Sequence, residues 1–180
     1  MVAHGSDIQR FDRGVKNAIS KDLRSVASKE PILVDVAREV GPTLAFTTDG
    51  PPGSAGHTVI TPQKNTDPEL ALNTGFHEIS HTMDGRLRES IDREAAHQRV
   101  KPPEHLWHAV TLYTTCEITK KVLARDHRPT ASLDTDRTKM FERNGWNNLL
   151  VALERDWQPY LDRKASFESA LATLVRETSK

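Results

Sequence analysis

Five consecutive residues near the middle of the chain, His77-Glu78-Ile79-Ser80-His81, have types and a spacing that suit metal-dependent hydrolysis. Residues four apart lie on one side of a helix, so His77 and His81 would present two imidazoles to one point. Zinc requires this arrangement of two ligands, and Glu78 would then act on a zinc-activated water as general base. Because the chain has eight histidines, the alternative is that His77 and His81 are ordinary surface or core residues. The segment predicts a zinc site with His77 and His81 as metal ligands and Glu78 as catalytic base.

A zinc site needs a third protein ligand, and the segment LWHAVTLYTTCE offers two candidates, His108 and Glu117. At about 100° per residue they point to nearly opposite sides of one helix, so at most one of them can face the metal. Glu117 shares its side with an apolar stripe, where a carboxylate is costly unless a positive partner such as zinc neutralises it. We therefore expect Glu117 to be the ligand. His108 is the alternative, and Glu117 could instead pair with Lys120 or Lys121.

Two further residues have candidate roles in the same site. Whichever of His108 and Tyr113 does not bind the metal could donate a hydrogen bond to the oxyanion that forms during hydrolysis. Asp84, three residues after His81, is expected to lie at a helix end or to support a ligand instead of binding the metal.

The motif and its surroundings resemble a known class of enzymes. His77-Glu78-x-x-His81, followed by an acidic candidate on a later helix, is similar to the gluzincin branch of zinc metallopeptidases. Over residues 30 to 178 the chain also resembles a group of small bacterial HExxH proteins, through the segments PILVDVAREVGPTLAFTT, GHTVIT, GFHEISH, LWHAVTLYTTCE and LERDWQPYLD. The resemblance implies a zincin-like core, in which a small sheet covers the active-site helix. The strand HTVITP would then be the sheet edge that binds substrate backbone.

The chain departs from the pattern it resembles at three positions. Asn73 stands where an acidic residue is frequent, one turn before His77, and its loss would weaken the orientation of that imidazole. Cys116 stands where glycine is frequent, and we expect it to be a small buried side chain. The Glu-x-x-x-Asp pattern of gluzincins is absent, because Lys121 follows Glu117 by four residues.

The order of predicted elements indicates an α+β fold. Apolar residues at helical spacing predict a helix over residues 6–28, and short β-branched runs predict three strands near 31–37, 43–48 and 57–61. Asp67 and Pro68 then mark the start of the helix that carries the motif. Further helices are predicted over 104–124, 138–160 and 166–178. We expect a single zincin-like domain over 1–180, with an N-terminal helix and sheet in 1–62 and a helical part with the metal site in 63–180.

Composition excludes several classes of partner. Lysine plus arginine and aspartate plus glutamate both number 25, so no net charge would attract nucleic acid. No apolar run approaches the length of a membrane span, and the first ten residues lack the apolar core of a signal peptide, so we expect a soluble protein. A single cysteine indicates nothing about the compartment.

Together these features predict a zinc-dependent hydrolase, with a metallopeptidase as the leading hypothesis. One alternative keeps zinc but acts on a small amide. The other is a binding module that has the zincin-like fold without the chemistry. Four protein ligands on the zinc would favour a structural role, and three would favour catalysis. The sequence leaves the oligomeric state open.

Overall fold

The structure is a computed structural model that describes the backbone of residues 33–36 and all atoms of residues 45–48, 57–60 and 67–179. The helix predicted over residues 6–28 lies outside these ranges. Among the described residues, no helix combines the length and apolar character needed to cross a membrane.

A small sheet precedes the helices. Its strands are β1 (Leu33–Val36), β2 (Ala45–Thr48) and β3 (His57–Ile60), and their spatial order is β1-β3-β2. β2 pairs with β3 in an antiparallel register, with Thr47 opposite Thr58, and the backbone of β1 runs parallel to β3. Threonine, valine and isoleucine in these segments favour extended structure because branched side chains pack well on a pleated surface.

One expectation about the sheet needs correction. The structure describes the side chains of the two antiparallel strands β2 and β3, and of β1 it describes the backbone alone. The strand HTVITP was expected at an edge, but β3 lies between β1 and β2. Strand order is decided by pairing between distant segments, so proximity to the active-site helix in the sequence does not make β3 an edge.

The rest of the described chain is mostly helical, which agrees with the α+β class at this coarse level. A 3₁₀ turn (His81–Met83) joins the first two helices, and a π-helical segment (Leu153–Trp157) joins the fifth and sixth. The helices are α1 (Pro68–Ser80), α2 (Asp84–Gln98), α3 (Leu106–Arg125), α4 (Ala131–Arg143), α5 (Asn147–Ala152), α6 (Gln158–Leu161) and α7 (Phe167–Thr178).

The start of α1 is as predicted. The Asp67 side chain accepts a hydrogen bond from the backbone N–H of Glu69 at 2.8 Å, and Pro68 occupies the first turn. A cap of this kind satisfies N–H groups that have no partner within the helix, and proline loses nothing at this position because its nitrogen has no hydrogen to donate. The start of α1, and so the position of the motif along the helix, is fixed locally.

The single helix predicted over 138–160 is wrong. The chain forms α4 up to Arg143, turns through Asn144, Gly145 and Trp146, and resumes as a helix at Asn147. Gly145 has φ +70°, a left-handed conformation that ends helices and that glycine adopts without steric cost. The turn brings Trp146 close to His105, which directly precedes α3, and to His108, which lies in the first turn of α3.

Helix α3 lies in the core and packs against α1, the helix that carries the motif. Leu106, Ala109 and Val110 are almost fully buried, and α3 contacts α1, α2 and α4. Helix α1 contacts α3 as well as strands β2 and β3. Cys116 is buried, as expected, and burial raises the pKa of its thiol to about 12. The relative position of α1 and α3 is therefore set by well-packed side chains, and both helices contribute to the candidate site.

Candidate metal centre

The last turn of α1 carries the two histidines of the motif side by side. His77 belongs to α1, and His81 opens the 3₁₀ turn that follows it. Their ring centres lie 4.6 Å apart, and the rings are nearly perpendicular at 77°. The helical spacing does bring the two imidazoles together, as the sequence predicted.

His108 of α3 completes a cluster of three histidines. Its Nε2 atom lies 3.3 Å from Nε2 of His77, and its ring centre is 5.2 Å from that of His81. One ring nitrogen from each of the three histidines lies within 4.8 Å of the other two. In a tetrahedral site with Zn–N bonds of 2.0–2.1 Å, two nitrogen ligands are about 3.3–3.4 Å apart. The Nε2 separation of His77 and His108 thus already matches that of two zinc ligands.

Burial keeps the inner histidines neutral, which is the form that binds a metal. Burial lowers the pKa of His77 to about 3, and the neighbouring His81 and His108 contribute to the shift. The pKa of His108 is also lowered, first by burial and then by the charge of His81. His77 is buried, whereas His81 and His108 are partly exposed, so a bound ion could be reached from one side.

Asp84 orients His81. Its Oδ2 lies 2.6 Å from Nδ1 of His81, and its Oδ1 accepts a hydrogen bond from the hydroxyl of Thr111 at 3.0 Å. Burial alone lowers the pKa of His81, but Asp84 and then Glu78 raise it, and the net pKa lies above its ordinary value. A carboxylate on Nδ1 fixes the tautomer and leaves Nε2 for a metal. The expectation that Asp84 supports a ligand agrees with this contact.

Glu78 lies next to the cluster and is tied to the sheet. Its backbone carbonyl accepts a hydrogen bond from the hydroxyl of Thr47 in β2 at 2.6 Å. Burial raises the pKa of its carboxyl group and Asp84 raises it further, while His81 opposes the shift. A carboxylate with a raised pKa is a better proton acceptor from water than an ordinary glutamate.

The structure does not bring Glu117, the preferred third ligand, into the cluster. Among the described residues, the cluster has three members, His77, His81 and His108, and Glu117 is not one of them. Its carboxylate pairs instead with Arg137 of α4 and with Lys120 at 2.9 Å. The positive partner that a buried carboxylate requires is therefore arginine and lysine, and the alternative ligand, His108, occupies the expected place.

Tyr113 does not reach the cluster either. It is almost fully buried, and its hydroxyl donates a hydrogen bond to Oε1 of Gln158 at 2.7 Å. Arg137 lies over its ring at 5.0 Å, on the side of α3 that carries Glu117. Burial, and then the charge of Glu117, raise the pKa of the phenol well above its ordinary value. The structure does not bring Tyr113 into position to stabilise an oxyanion at the histidines.

Two buried polar atoms beside His77 have no hydrogen-bond partner among the described residues. They are Nδ1 of His77 itself and Oδ1 of Asn73, one helical turn earlier. With Nε2 directed at a metal, Nδ1 carries a hydrogen and could donate it. Asn73 is the position where the resemblance implied an acidic residue, and a carboxylate there would offer an acceptor for a hydrogen on Nδ1.

An aromatic and cationic border, formed by Trp107, Trp146 and Arg88, surrounds His108. The ring of Trp107 stacks on that of His108 at 5.0 Å, and the ring of Trp146 meets His108 edge-on at 5.4 Å. The guanidinium of Arg88, from α2, lies 3.5 Å from the centre of the Trp107 ring. The position of Trp107 directly before His108 in the sequence indicates that the two rings lie close together. Nothing in the sequence indicates that Arg88 lies near them.

The residues present fit a zinc ion. Three imidazole nitrogens form one of the ligand sets of catalytic zinc, which leaves a fourth position for water or substrate. The neutral state of His77, the short Nε2 contact and the orphaned Nδ1 all agree with metal binding. No family model matches the chain, and neither a curated protein nor a solved structure matches it. The case for a metal centre therefore depends on the geometry.

Proposed function

We propose that this chain is a zinc-dependent hydrolase that cleaves a peptide bond. The observation that carries the proposal is the convergence of His77, His81 and His108 from two helices, with Glu78 directly beside them. Three imidazoles favour zinc over calcium or magnesium, because the latter two prefer oxygen ligands. A three-ligand site leaves room for chemistry, whereas a fourth protein ligand would indicate a structural ion.

Each polar group of the site has a part in this chemistry. When bound, zinc would supply the positive charge that lowers the pKa of water and polarises a carbonyl group. Glu78 would take a proton from the attacking water and pass it to the leaving amine. Asp84 would hold His81 in the required tautomer, and burial would keep His77 neutral. The hydrogen bond from Thr47 would fix the backbone of Glu78, and with it the direction of the carboxylate.

A peptide substrate is supported by the position of β2. This strand lies at one end of the order β1-β3-β2, and it is attached to the metal-bearing helix through Thr47. A strand at a sheet edge can bind an extended peptide through backbone hydrogen bonds. Phe46 in this strand is 39% exposed and could contact the substrate. In this proposal β2 takes the role that the sequence assigned to β3.

A zincin-like core is part of the proposal, with one change to the resemblance. Glu78 and the two motif histidines keep their expected roles. The third ligand is a histidine from the following long helix instead of a glutamate. That change separates the proposed site from the gluzincin pattern.

The second candidate is a zinc amidohydrolase that acts on a small amide. It is favoured by Trp107 and Trp146, whose rings contact His108 and narrow the approach to the cluster. Hydrolysis rates on a peptide library and on a panel of small acyl amides would separate the two candidates, since each predicts substantial turnover in one set alone.

Replacing Glu78 by glutamine tests the proposed chemistry. Glutamine has nearly the same size but cannot accept the proton, so the zinc content should stay unchanged while hydrolysis falls by about 10²–10⁴-fold. Undiminished turnover would remove Glu78 from the mechanism. Zinc binding in a wild-type protein that hydrolyses none of these substrates would favour the non-catalytic binding module.

A further inference from the structure

Arg88 provides a positive charge at the border of the histidine cluster. Its Cζ lies 3.5 Å from the centre of the Trp107 ring, and that ring centre lies 5.0 Å from the ring centre of His108. Added together, the two distances limit the separation between Cζ of Arg88 and the His108 ring centre to at most 8.5 Å. A small molecule that binds at the cluster and extends past the Trp107 ring would therefore come near the guanidinium.

No carboxylate neutralises this charge among the residues that the structure describes. Arg88 is exposed on α2, and its contact there is the indole of Trp107. Arg137, which is partly buried, differs, because Glu117, Asp134 and Glu154 all lie within ion-pair distance of it. A guanidinium that lies over an indole ring keeps its N–H edge available for an anion.

The effect of Arg88 on the pKa values of two histidines agrees with its placement near the cluster. Burial is the first cause that lowers the pKa of His108, and Arg88 lowers it further. For His81, burial and Arg88 lower the pKa, although Asp84 and Glu78 outweigh them. Arg88 is thus close enough to act on both histidines that are partly exposed.

We propose that Arg88 binds the α-carboxylate of the substrate, so that the enzyme releases one C-terminal amino acid. This inference rests on the proposed hydrolysis at the histidine cluster. In the reaction the amide C–N bond breaks; the oxygen and one hydrogen of water go to the acyl carbon, and the other hydrogen goes to the released amine. The substrate class is an amide whose amine part carries a free carboxylate, which is either a peptide C-terminus or an N-acyl amino acid.

The short separation favours a carboxylate on the residue directly after the scissile bond. One residue of extended chain spans about 3.3–3.6 Å, and a guanidinium–carboxylate hydrogen bond adds about 2.7–2.9 Å. Each further residue adds the same length again and carries the carboxylate farther from the cluster, whereas the guanidinium lies at most 8.5 Å from the His108 ring centre. A residue released from the C-terminus fits this geometry better than a long leaving peptide.

The charge pattern favours a carboxylate over a phosphate. The carboxylates of Glu78 and Asp84 add negative charge near His81, because Glu78 belongs to the motif and Oδ2 of Asp84 lies 2.6 Å from Nδ1 of His81. They would repel a phosphate with two negative charges more strongly than a carboxylate with one. The planar fork of a single guanidinium also matches the two oxygens of a carboxylate.

Calorimetry on the zinc-loaded Glu78→Gln protein would test this inference without turnover. The probes are N-acetyl-alanyl-phenylalanine, its C-terminal amide and inorganic phosphate. We expect the free acid to bind about tenfold or more tightly than the amide, and Arg88→Ala to abolish that difference. Arg88→Lys should keep part of it, and Arg93→Ala, which removes an exposed arginine from the same helix, should leave it unchanged.

Equal affinities for the free acid and the amide, or a preference that survives Arg88→Ala, would overturn the inference, as would phosphate binding more tightly than the free acid. A second measurement compares hydrolysis of the same free acid with that of N-acetylphenylalanine, which separates peptide substrates from N-acyl amino acids. Arg88-dependent binding in a wild-type protein that hydrolyses neither would support the carboxylate site and contradict the proposed hydrolase.

Discussion

Helix α3 contributes to two polar clusters on different sides, and they differ in how their members are paired. Around Glu117, opposite charges pair with one another: Arg137 and Lys120 bind its carboxylate, and Lys120 also binds Asp134 at 2.7 Å, although Nε of Arg137 has no hydrogen-bond partner among the described residues. Around His108, the Nε2 atoms of two neutral imidazoles lie 3.3 Å apart, and Nδ1 of His77 has no partner among the described residues.

The difference separates a structural cluster from a candidate binding site. Opposite charges that neutralise each other need nothing from outside, so the Glu117 cluster holds α3 against α4. Three imidazole nitrogens that converge within 4.8 Å of one another are instead an arrangement that a metal cation can stabilise. A charged or polar residue in the core therefore does not by itself indicate a ligand site. The site is indicated when the residue has no partner of opposite charge within the protein.

The largest expected effect is the loss of zinc when a cluster histidine is removed. His77→Ala should weaken zinc binding by more than the roughly 10–100-fold that loss of a supporting hydrogen bond costs, because a ligand itself is gone. Competition with a chromogenic chelator measures the affinity. His97→Ala, which removes an exposed histidine of α2, is the matched control and should bind zinc as the wild type does. Unchanged affinity in His77→Ala would contradict the site.

Disrupting the Glu117 cluster should lower the stability of the protein. Glu117→Ala leaves Arg137 buried with weaker partners, so the free energy of unfolding should fall by about 3 kcal/mol. Urea titration followed by circular dichroism measures this fall. Glu154→Ala removes a half-exposed partner of the same arginine and should cost less than about 1 kcal/mol. If Glu117→Ala lost zinc but kept its stability, the two clusters would have been assigned the wrong way round.

A smaller effect is expected where a carboxylate supports a ligand. Asp84→Asn weakens the hydrogen bond to Nδ1 of His81 while keeping the shape of the side chain. Zinc affinity should fall by about 10–100-fold. Asp92→Asn, an exposed substitution on the same helix, serves as the control for the lost charge. Equal affinities in the two variants would mean that Asp84 acts through net charge alone.

The smallest predicted effect is a gain in zinc affinity. Asn73→Asp would place a carboxylate one turn before His77, where it could accept the hydrogen of Nδ1. We expect zinc to bind about tenfold more tightly, because a charged acceptor orients an imidazole ligand better than an amide does. The exposed Asn148→Asp substitution controls for the added charge. A weaker site in Asn73→Asp would show that Asn73 does not face Nδ1.

Local spacing was enough to place part of the site. His77 and His81 meet because they lie four residues apart at the end of one helix, and the cap at Asp67 fixes where that helix begins. The helical angle between His108 and Glu117 also predicted correctly that one of them at most could join the motif.

The choice between these two residues could not be made from their own helix. It depended on Arg137, which comes from α4, twenty positions after Glu117, and neutralises the carboxylate. The central position of β3 has the same origin, since it is set by pairing with strands from other parts of the sequence. The break at Gly145 has a local origin, because asparagine followed by glycine is typical of a turn. The flanking apolar residues have helical spacing, and this spacing led to the prediction of one continuous helix.

The most direct test of the account is the zinc content of three proteins, prepared without a histidine tag and measured by mass spectrometry: the wild type, His108→Ala and Glu117→Ala. We predict about one zinc ion per chain in the wild type and in Glu117→Ala, and almost none in His108→Ala. Zinc retained in a folded His108→Ala protein, or lost from a folded Glu117→Ala protein, would contradict the assignment of the three-histidine cluster as the metal centre.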